Sequence, residues 1–465
     1  MTEKFEPRSK ALIHLMSGMA FMKTQNPRAA LERFNLADAV EGWGEDEGKE
    51  ILYLWQGTAY LDRALQGVSP SQDFCVSLAV YAESDLDCAE RAYQKARNAN
   101  GDFARGYLGI GKVLLDRVQQ KTEFRICEDY IDSATMTLRA LEPTATFSLT
   151  ALVPLKSHLN AGITYRMAYE QPSWANAKCN SSAYSNAKLH LSSAITEYIK
   201  IREPSLLAQQ LGMRAYYELA RLEMLAREFE TSLKTIEHSI KIAESMQPNR
   251  SVVEEQLRGF QWTARQLRGE TLVVMAEAGD ATRWDAAKQE FNQIIAAYEK
   301  AAKENKTFDL AVVAHAYYQL GRVLYRNAEI TQAVEPLSQS LKLVDGVSKS
   351  HKSELRFVQH LAWDVPLIQG RVFSDLAQTN STYWVNSLMA YNRVVVEFEK
   401  EEHPINAQIT VEAYFGCGWA SEQLNRRSEA IEYYKRLLEM AELKTLFPEL
   451  SRQVEERLRV LAKQD

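Results

Sequence analysis

The run Gly106-Tyr-Leu-Gly-Ile-Gly111-Lys112-Val113 comes within one residue of a phosphate-binding loop, G-x4-G-K-[ST]. In such a loop the glycines open backbone N–H groups to phosphate, the lysine reaches the terminal phosphates and the hydroxyl holds Mg²⁺. Here the hydroxyl position is Val113 and no strand-like run precedes the motif, so nucleotide binding is not expected. The eight histidines (14, 158, 190, 238, 315, 351, 360, 403) include no H-E-x-x-H pair, and no Cys or His stands at zinc spacing. No G-x-S-x-G nucleophile elbow occurs, and no Cys–His pair has a supporting context. Asp129 and Asp132 lie among basic neighbours on a helical pattern, which describes a solvated face. The residues therefore predict no enzyme, no metal and no cofactor.

Five cysteines (75, 88, 127, 179, 417) with no C-x-x-C spacing read as free thiols of a reducing compartment, which predicts a cytoplasmic protein. The formal net charge is −6 over 465 residues, giving no global attraction to nucleic acid or anionic lipid. No apolar run reaches the roughly 18 residues that a membrane span needs. Ala11 to Met22 imitates the apolar part of a leader. However, Glu3 and Glu6 spoil the basic start, His14 interrupts the run, and no small-residue cleavage site closes it. Glycine (20) and proline (12) together are too scarce for the many turns of a β-sandwich or barrel.

The elements that must position any site are helical. Val313, Ala316, Tyr317, Leu320 and Leu324 follow three- and four-residue steps along one face. Helices then recur in pairs with a common pattern. Tyr317-x2-Leu320-Gly321 precedes Ala333-x3-Leu337, and Tyr414-x2-Cys417-Gly418 precedes Ala430-x3-Tyr434. Tyr216-x2-Leu219-Ala220 precedes Ser232-x3-Ile236, and Gly18-x2-Phe21 precedes Ala30-x3-Phe34. In all four the small residues of the two helices stand twelve apart. Weaker copies are anchored at Gly57, Gly111, Gly162, Gly269 and Gly370, making about nine pairs. Small residues allow close helix approach, and large apolar residues fill the groove between.

This pattern resembles the tetratricopeptide repeat, W-x2-L-G-x2-Y, then A-x3-F, then P. The resemblance implies an all-α fold, an α-α superhelix formed as a single solenoid over residues 1–465 without a separate catalytic domain. The anchors step by 39 to 58 residues, against a family period of 34. Longer helices and long segments inside hairpins (62–88, 167–184, 374–384) are expected to take up the difference. Pro70 and Pro172 fall in such segments. Pro143, Pro204, Pro248, Pro404 and Pro448 fall between hairpins, and Pro336 falls inside a helix. Asp364-Val365-Pro366 reads as a helix start with Asp364 as N-cap, after an extra helical segment over 346–362.

The resemblance also implies that the first helix of each pair lines a concave groove. Placed by register, its N-terminal part is apolar (Leu12, Leu15, Met19, Met22, Ile51, Leu54, Leu61). Its middle is cationic and tyrosine-bearing: Arg105, Lys112, Lys156, Arg166, Arg214, Tyr217 and Arg221. Then follow His315, Tyr318, Arg322, Tyr325, Asp364 and Arg371, and finally Glu412, Phe415, Trp419 and Glu422. Arginine forks take carboxylates bidentately, and Tyr and Trp offer rigid contact area. The expected partner is another protein or a peptide bearing acidic residues, with the chain as a scaffold, adaptor or subunit of a complex. The alternative is a regulatory sensor whose superhelix changes pitch on binding.

Overall fold

The computed structural model describes residues 7–41, 43, 49–66, 84–99, 104–120, 127–138, 152–170, 177–246, 251–306, 308–350, 358–400 and 407–462. Every regular element among them is a helix, and the chain divides into two compact units, Met1–Pro248 and Asn249–Asp465.

The first unit holds five antiparallel pairs in chain order. They are α1 (Pro7–Lys23) with α2 (Pro27–Asp38), α3 (Lys49–Leu65) with α4 (Asp85–Ala99), and α5 (Ala104–Gln120) with α6 (Cys127–Leu138). Then come α7 (Val153–Tyr169) with α8 (Ala177–Ile199) and α9 (Leu206–Leu225) with α10 (Phe229–Ser245). The second unit holds four: α11 (Ser251–Glu277) with α12 (Arg283–Lys303), α13 (Leu310–Arg326) with α14 (Ile330–Ser350), α15 (Leu361–Ala377) with α16 (Tyr383–Glu399), and α17 (Ala407–Gln423) with α18 (Arg427–Glu439). Two further helices, α19 (Ala441–Leu446) and α20 (Pro448–Ala462), follow the last pair.

The small anchors do the packing work that their spacing predicts. A Cβ built on Gly18 would lie 2.3 Å from Phe34 Cε1, and one on Gly418 would lie 2.5 Å from Tyr434 Cε1. Both rings are fully buried, the large residues of their A-x3-F runs. Each such side chain contributes about 2–3 kcal/mol through the apolar area it removes from water. Gly109 and Gly416 were not legible as packing positions, because each meets a ring from the preceding pair. Tyr93 of α4 lies against Gly57 of its own pair and against Gly109 of the next. Tyr391 of α16 likewise lies against Gly370 and Gly416.

The twelve-residue spacing has a backbone cause. In those four hairpins the residue seven after the anchor adopts positive φ: Gln25 (56°), Arg227 (62°), Ala328 (61°) and Asn425 (57°). The next residue's N–H bonds to the carbonyl five residues back, as from Glu329 to Leu324 at 2.8 Å. This left-handed C-cap ends the first helix and aims the chain into the second. Side-chain caps help start several helices: Asn26 before α2, Ser205 before α9, and Asp309 before α13 with bonds of 2.9 and 3.2 Å.

The phosphate-loop look-alike lies inside α5, where Gly109 and Gly111 are packing sites against Tyr93 and Thr137. Several expectations need correction. Segment 374–384 is not a long loop: 374–377 end α15 and 383–384 begin α16, leaving a short turn over 378–382 in which Asn380 Oδ1 accepts from the Thr382 hydroxyl at 2.8 Å. Asp364 is not an N-cap. α15 starts at Leu361 after His360, with Asp364 in its first turn and Pro366 inside it. Residues 346–350 belong to α14, which carries Pro336 internally as expected. Cys88 is disulfide-bonded, so the cysteines are not all free thiols; Cys417 is free and buried. Sequence spacing offered no signal for that bond. Pro70, Cys75, Pro143, Pro172, Pro248, His351, His403 and Pro404 lie outside the described residues, as do the side chains of Cys127, Asp129, Asp132 and Cys179. Among the described residues, no helix is long and apolar enough to cross a membrane.

Candidate interaction face

Within each unit the first helices approach one another from pair to pair. α1 meets α3, α3 meets α5, α5 meets α7 and α7 meets α9. In the second unit α11 meets α13, α13 meets α15 and α15 meets α17. Second helices of successive pairs are linked as well, α6 to α8 by close packing, α14 to α16 through Asp345 and Arg393, and α16 to α18 through Asn392–Tyr433 at 2.9 Å and Glu399–Arg436 at 2.6 Å. The first helices of successive pairs thus share one continuous face within each unit.

At its N-terminal end the apolar register positions divide. Leu15 and Leu61 are buried, whereas Leu12 and Ile51 are 42% exposed. Further on, Arg105 and Lys112 are exposed on α5, and Lys112 lies near the carboxyl of Asp62. Lys156 of α7 is half-buried, and burial, followed by the neighbouring Arg105, pulls its ammonium below the usual range.

The middle of this face in the first unit is an ion-pair network. Arg166 is buried and lies 2.5 Å from Glu170 and 2.8 Å from Glu218. Arg221 reaches back to Glu170 at 3.0 Å, and the half-exposed Arg214 stands 3.7 Å from Glu218. Tyr217 is half-buried on the same helix.

The second unit repeats the arrangement. Arg322 holds both carboxylate oxygens of Glu277 at 2.7 and 2.9 Å. Arg221 and Arg322 each directly follow their anchors, and Glu170 and Glu277 each stand eight residues after theirs, so one register contact recurs in both units. Arg371 makes a bidentate pair with Glu412, and the Tyr325 hydroxyl donates to Asp375 Oδ2 at 2.8 Å. That bond, after burial, pushes Tyr325 up to about 12.

A histidine pair lies between α13 and the start of α15. His315 Nε2 and His360 Nε2 are 3.0 Å apart, one ring donating to the other, and His315 Nδ1 faces Glu270 at 3.5 Å. Burial pulls both rings down to about 4, with Arg322 adding to the effect on His315 and the neighbouring ring adding to that on His360. Tyr318 stands edge-on to His315 and is pushed up to about 12 by burial, then by Asp364. Asp364 is half-buried, and desolvation pushes it up to about 6 against the opposing pull of Arg322 and Arg371. Among the described residues no group of three or more His, Cys, Asp or Glu side chains is placed to hold a metal ion.

At the C-terminal end, the Arg457 guanidinium of α20 lies 4.0 Å over the Trp419 ring and bonds Glu422 at 2.9 Å. Phe415 packs on Tyr434.

The structure thus brings Arg166, Arg214 and Arg221 together, and separately His315, Tyr318, Arg322, Tyr325 and Arg371. Their intramolecular carboxylate partners were missed. Glu170 and Glu218 are each four residues after an arginine, a spacing that flags helix-surface pairs. Nothing in the sequence alone flags Glu277 or Asp375 as partners from another pair.

Paired helices with small residues at their crossings, closed by recurring left-handed caps, give the chain an all-α helical-repeat fold like that of tetratricopeptide proteins. The apo form of RapI is similar, with a TM-score of 0.51 at 11% identity, covering 90% of this chain and 98% of that one. A tetratricopeptide repeat protein from Parabacteroides merdae aligns at 12% identity over 76% of this chain and 98% of its own, with a TM-score of 0.42. A Rap protein complexed with competence and sporulation factor aligns at 11% identity over 97% of this chain and 99% of its own, with a TM-score of 0.43. No family sequence model and no curated protein matches the chain.

Proposed function

We propose that the protein is a non-enzymatic interaction module that holds a protein or peptide segment along the shared face of its first helices. The observation that carries this reading is the alignment of Arg, Tyr, Trp and carboxylate side chains on first helices that meet from pair to pair. Arg and Tyr supply much of the binding energy where proteins meet. A scaffold needs nothing more than such a face on rigid elements.

The test uses cations that fold-holding ion pairs leave most exposed. Arg105→Glu, Lys112→Glu and Arg214→Glu together should leave the melting temperature within a few degrees of the parent. They should remove the partners captured by the wild-type chain from native lysate. Unchanged capture would defeat the reading.

A sensor is the second reading. Several links between successive first helices are polar and only half-buried, as in Arg322–Glu277, Arg371–Glu412 and Tyr325–Asp375. Such links can exchange with a ligand's own groups, which would alter the spacing of the helices. Small-angle scattering of the captured complex separates the readings: compaction favours the sensor, and an unchanged envelope favours the scaffold.

A further inference from the structure

We propose that the outward side of α1 is a docking surface for an acidic amphipathic helix of another protein. This inference goes beyond the reading above: it concerns the first helix pair alone and uses none of the arginines and tyrosines invoked there.

The run Ala11 to Met22, apolar enough to imitate a leader, folds into α1, and the fold uses only one side of it. Ala11, Leu15 and Gly18 follow steps of four and three and are buried, with Gly18 against Phe34 of α2. Leu12, Ile13, Met16 and Ala20 turn away from that side and are exposed, Ile13 by 54% and Met16 by 68%. A helix that is apolar all round belongs in an interior. Among the described residues, α1 packs on α2 and more lightly on α3. The last helix of the chain is built differently. α20 packs on α18 and turns Arg452, Glu455, Glu456 and Arg459 to solvent. Terminal helices of a repeat stack keep it soluble by presenting a polar outside. α20 does so and α1 does not, which is the mark of a face meant to be covered.

Charge selects what covers it. Residues three and four apart are neighbours on a helix surface. Arg8 stands four before Leu12, Lys10 three before Ile13 and Lys23 three after Ala20, and all three bases are exposed. α1 carries no acid. On α2 Arg28 and Arg33 are exposed beside one exposed acid, Glu32, while Asp38 is half-buried and faces Lys49 and Tyr53. Among the described residues none of these five bases has a carboxylate partner. A second copy of this face would set bases against bases. A partner helix whose apolar side is flanked by Glu or Asp would neutralise them. Leu12 to Ala20 spans about 12 Å, two helical turns, which suits one helix laid along another. Met16, with the half-buried Met19 and Met22 nearby, can adapt its shape to the incoming side chains. An anionic bilayer would share the charge preference, but α1 offers no Trp or Tyr to anchor at the headgroups.

The probe is a phage library of helical peptides with leucine at every third or fourth position and the remaining positions drawn from Ala, Gln, Glu and Lys. It is panned at pH 7 against the full chain. Wild-type selection should enrich Glu over Lys beside the leucines. Ile13→Gln with Met16→Gln should weaken the selected peptides by about tenfold or more, as loss of central apolar contacts does. Its melting temperature should stay at the parent value, because both side chains are exposed. Lys10→Glu with Lys23→Glu should turn the selection toward Lys. Enrichment of Lys-bearing or uncharged peptides, equal binding to the Gln variant, or no enrichment would each overturn this inference. None of these outcomes bears on the reading above, whose own test lies in Arg105, Lys112 and Arg214. A clear drop in melting temperature of the Gln variant would show that the two side chains serve the fold and sink the proposal. Two rival occupants are checked directly. Dimerisation in sedimentation that the Gln variant loses would give the face to a second copy. Flotation with phosphatidylserine vesicles that the same variant loses would give it to a membrane. Either result would overturn the assignment to a partner helix.

Discussion

Gly321 has Leu337 so close that an added Cβ would fall 2.6 Å from Leu337 Cγ, and Leu337 is fully buried. The side chain therefore has no free space into which to retreat. Gly321→Val should destabilise the chain by about 1–3 kcal/mol, the usual range for overpacking. Gly346→Val, where a Cβ would meet nothing within 4 Å, should cost much less. Urea midpoints of the two variants check this, and equal losses would contradict the packing role. Such anchors were readable because a small residue at a fixed distance from a large one leaves a repeating trace. The buried pair Arg63–Asp85, bonded at 2.8 Å between Nε and Oδ2, left none. Neither residue has a distinctive neighbour, and they meet only because α3 and α4 fold back on each other. The same holds for Arg322 and Glu277, which lie 45 residues apart.

The hairpin turn is where sequence spacing and backbone geometry meet most directly. Twelve residues between small anchors fit one particular left-handed cap, and all four hairpins with that spacing have it. None of the four capping residues is glycine. Ala328 is exposed at φ 61°, a conformation that costs a residue with a Cβ about 1–2 kcal/mol. Glycine removes that cost but adds about 0.5–1 kcal/mol of unfolded-chain entropy. Ala328→Gly should therefore stabilise by roughly 0.5 kcal/mol, read as a higher denaturant midpoint with an unchanged slope. A lower midpoint would show that the cap carries no strain. The hairpins with wider spacing offered no such rule, and the misjudged start of α15 shows why. Pro366 and Asp364 together look like a helix opening, yet Leu361, fully buried, draws the helix back by one turn.

Across the molecule, acid should act first through buried imidazoles. His315 and His360 titrate near 4 when folded and near 6.5 when unfolded. A depressed folded value means that the unfolded chain binds more protons below pH 6.5. Their stabilising contribution is complete above pH 6.5 and is lost as the pH falls through 4. Asp364 has the opposite sign. Its folded value of about 6 exceeds the ordinary 3.8, so between those values the folded state takes up a proton. The slope of unfolding free energy against pH should thus be reduced in a His315→Gln, His360→Gln variant, by up to two protons between pH 6 and 4. Urea titrations at several pH values measure it, and an unchanged slope would refute the assignment. The helical class and repeat order were legible because periodicity and anchor spacing are local; the charge ladder was not, because its partners come from neighbouring pairs. The shared rings have one further effect. Tyr391, lodged between Gly370 and Gly416, belongs to two hairpins at once. A chain shortened to end before α17 would strip one side of that ring bare. Deletion mapping would then report the collapse of a neighbour rather than the loss of a binding surface, so point substitutions are the safer instrument for finding where a partner docks.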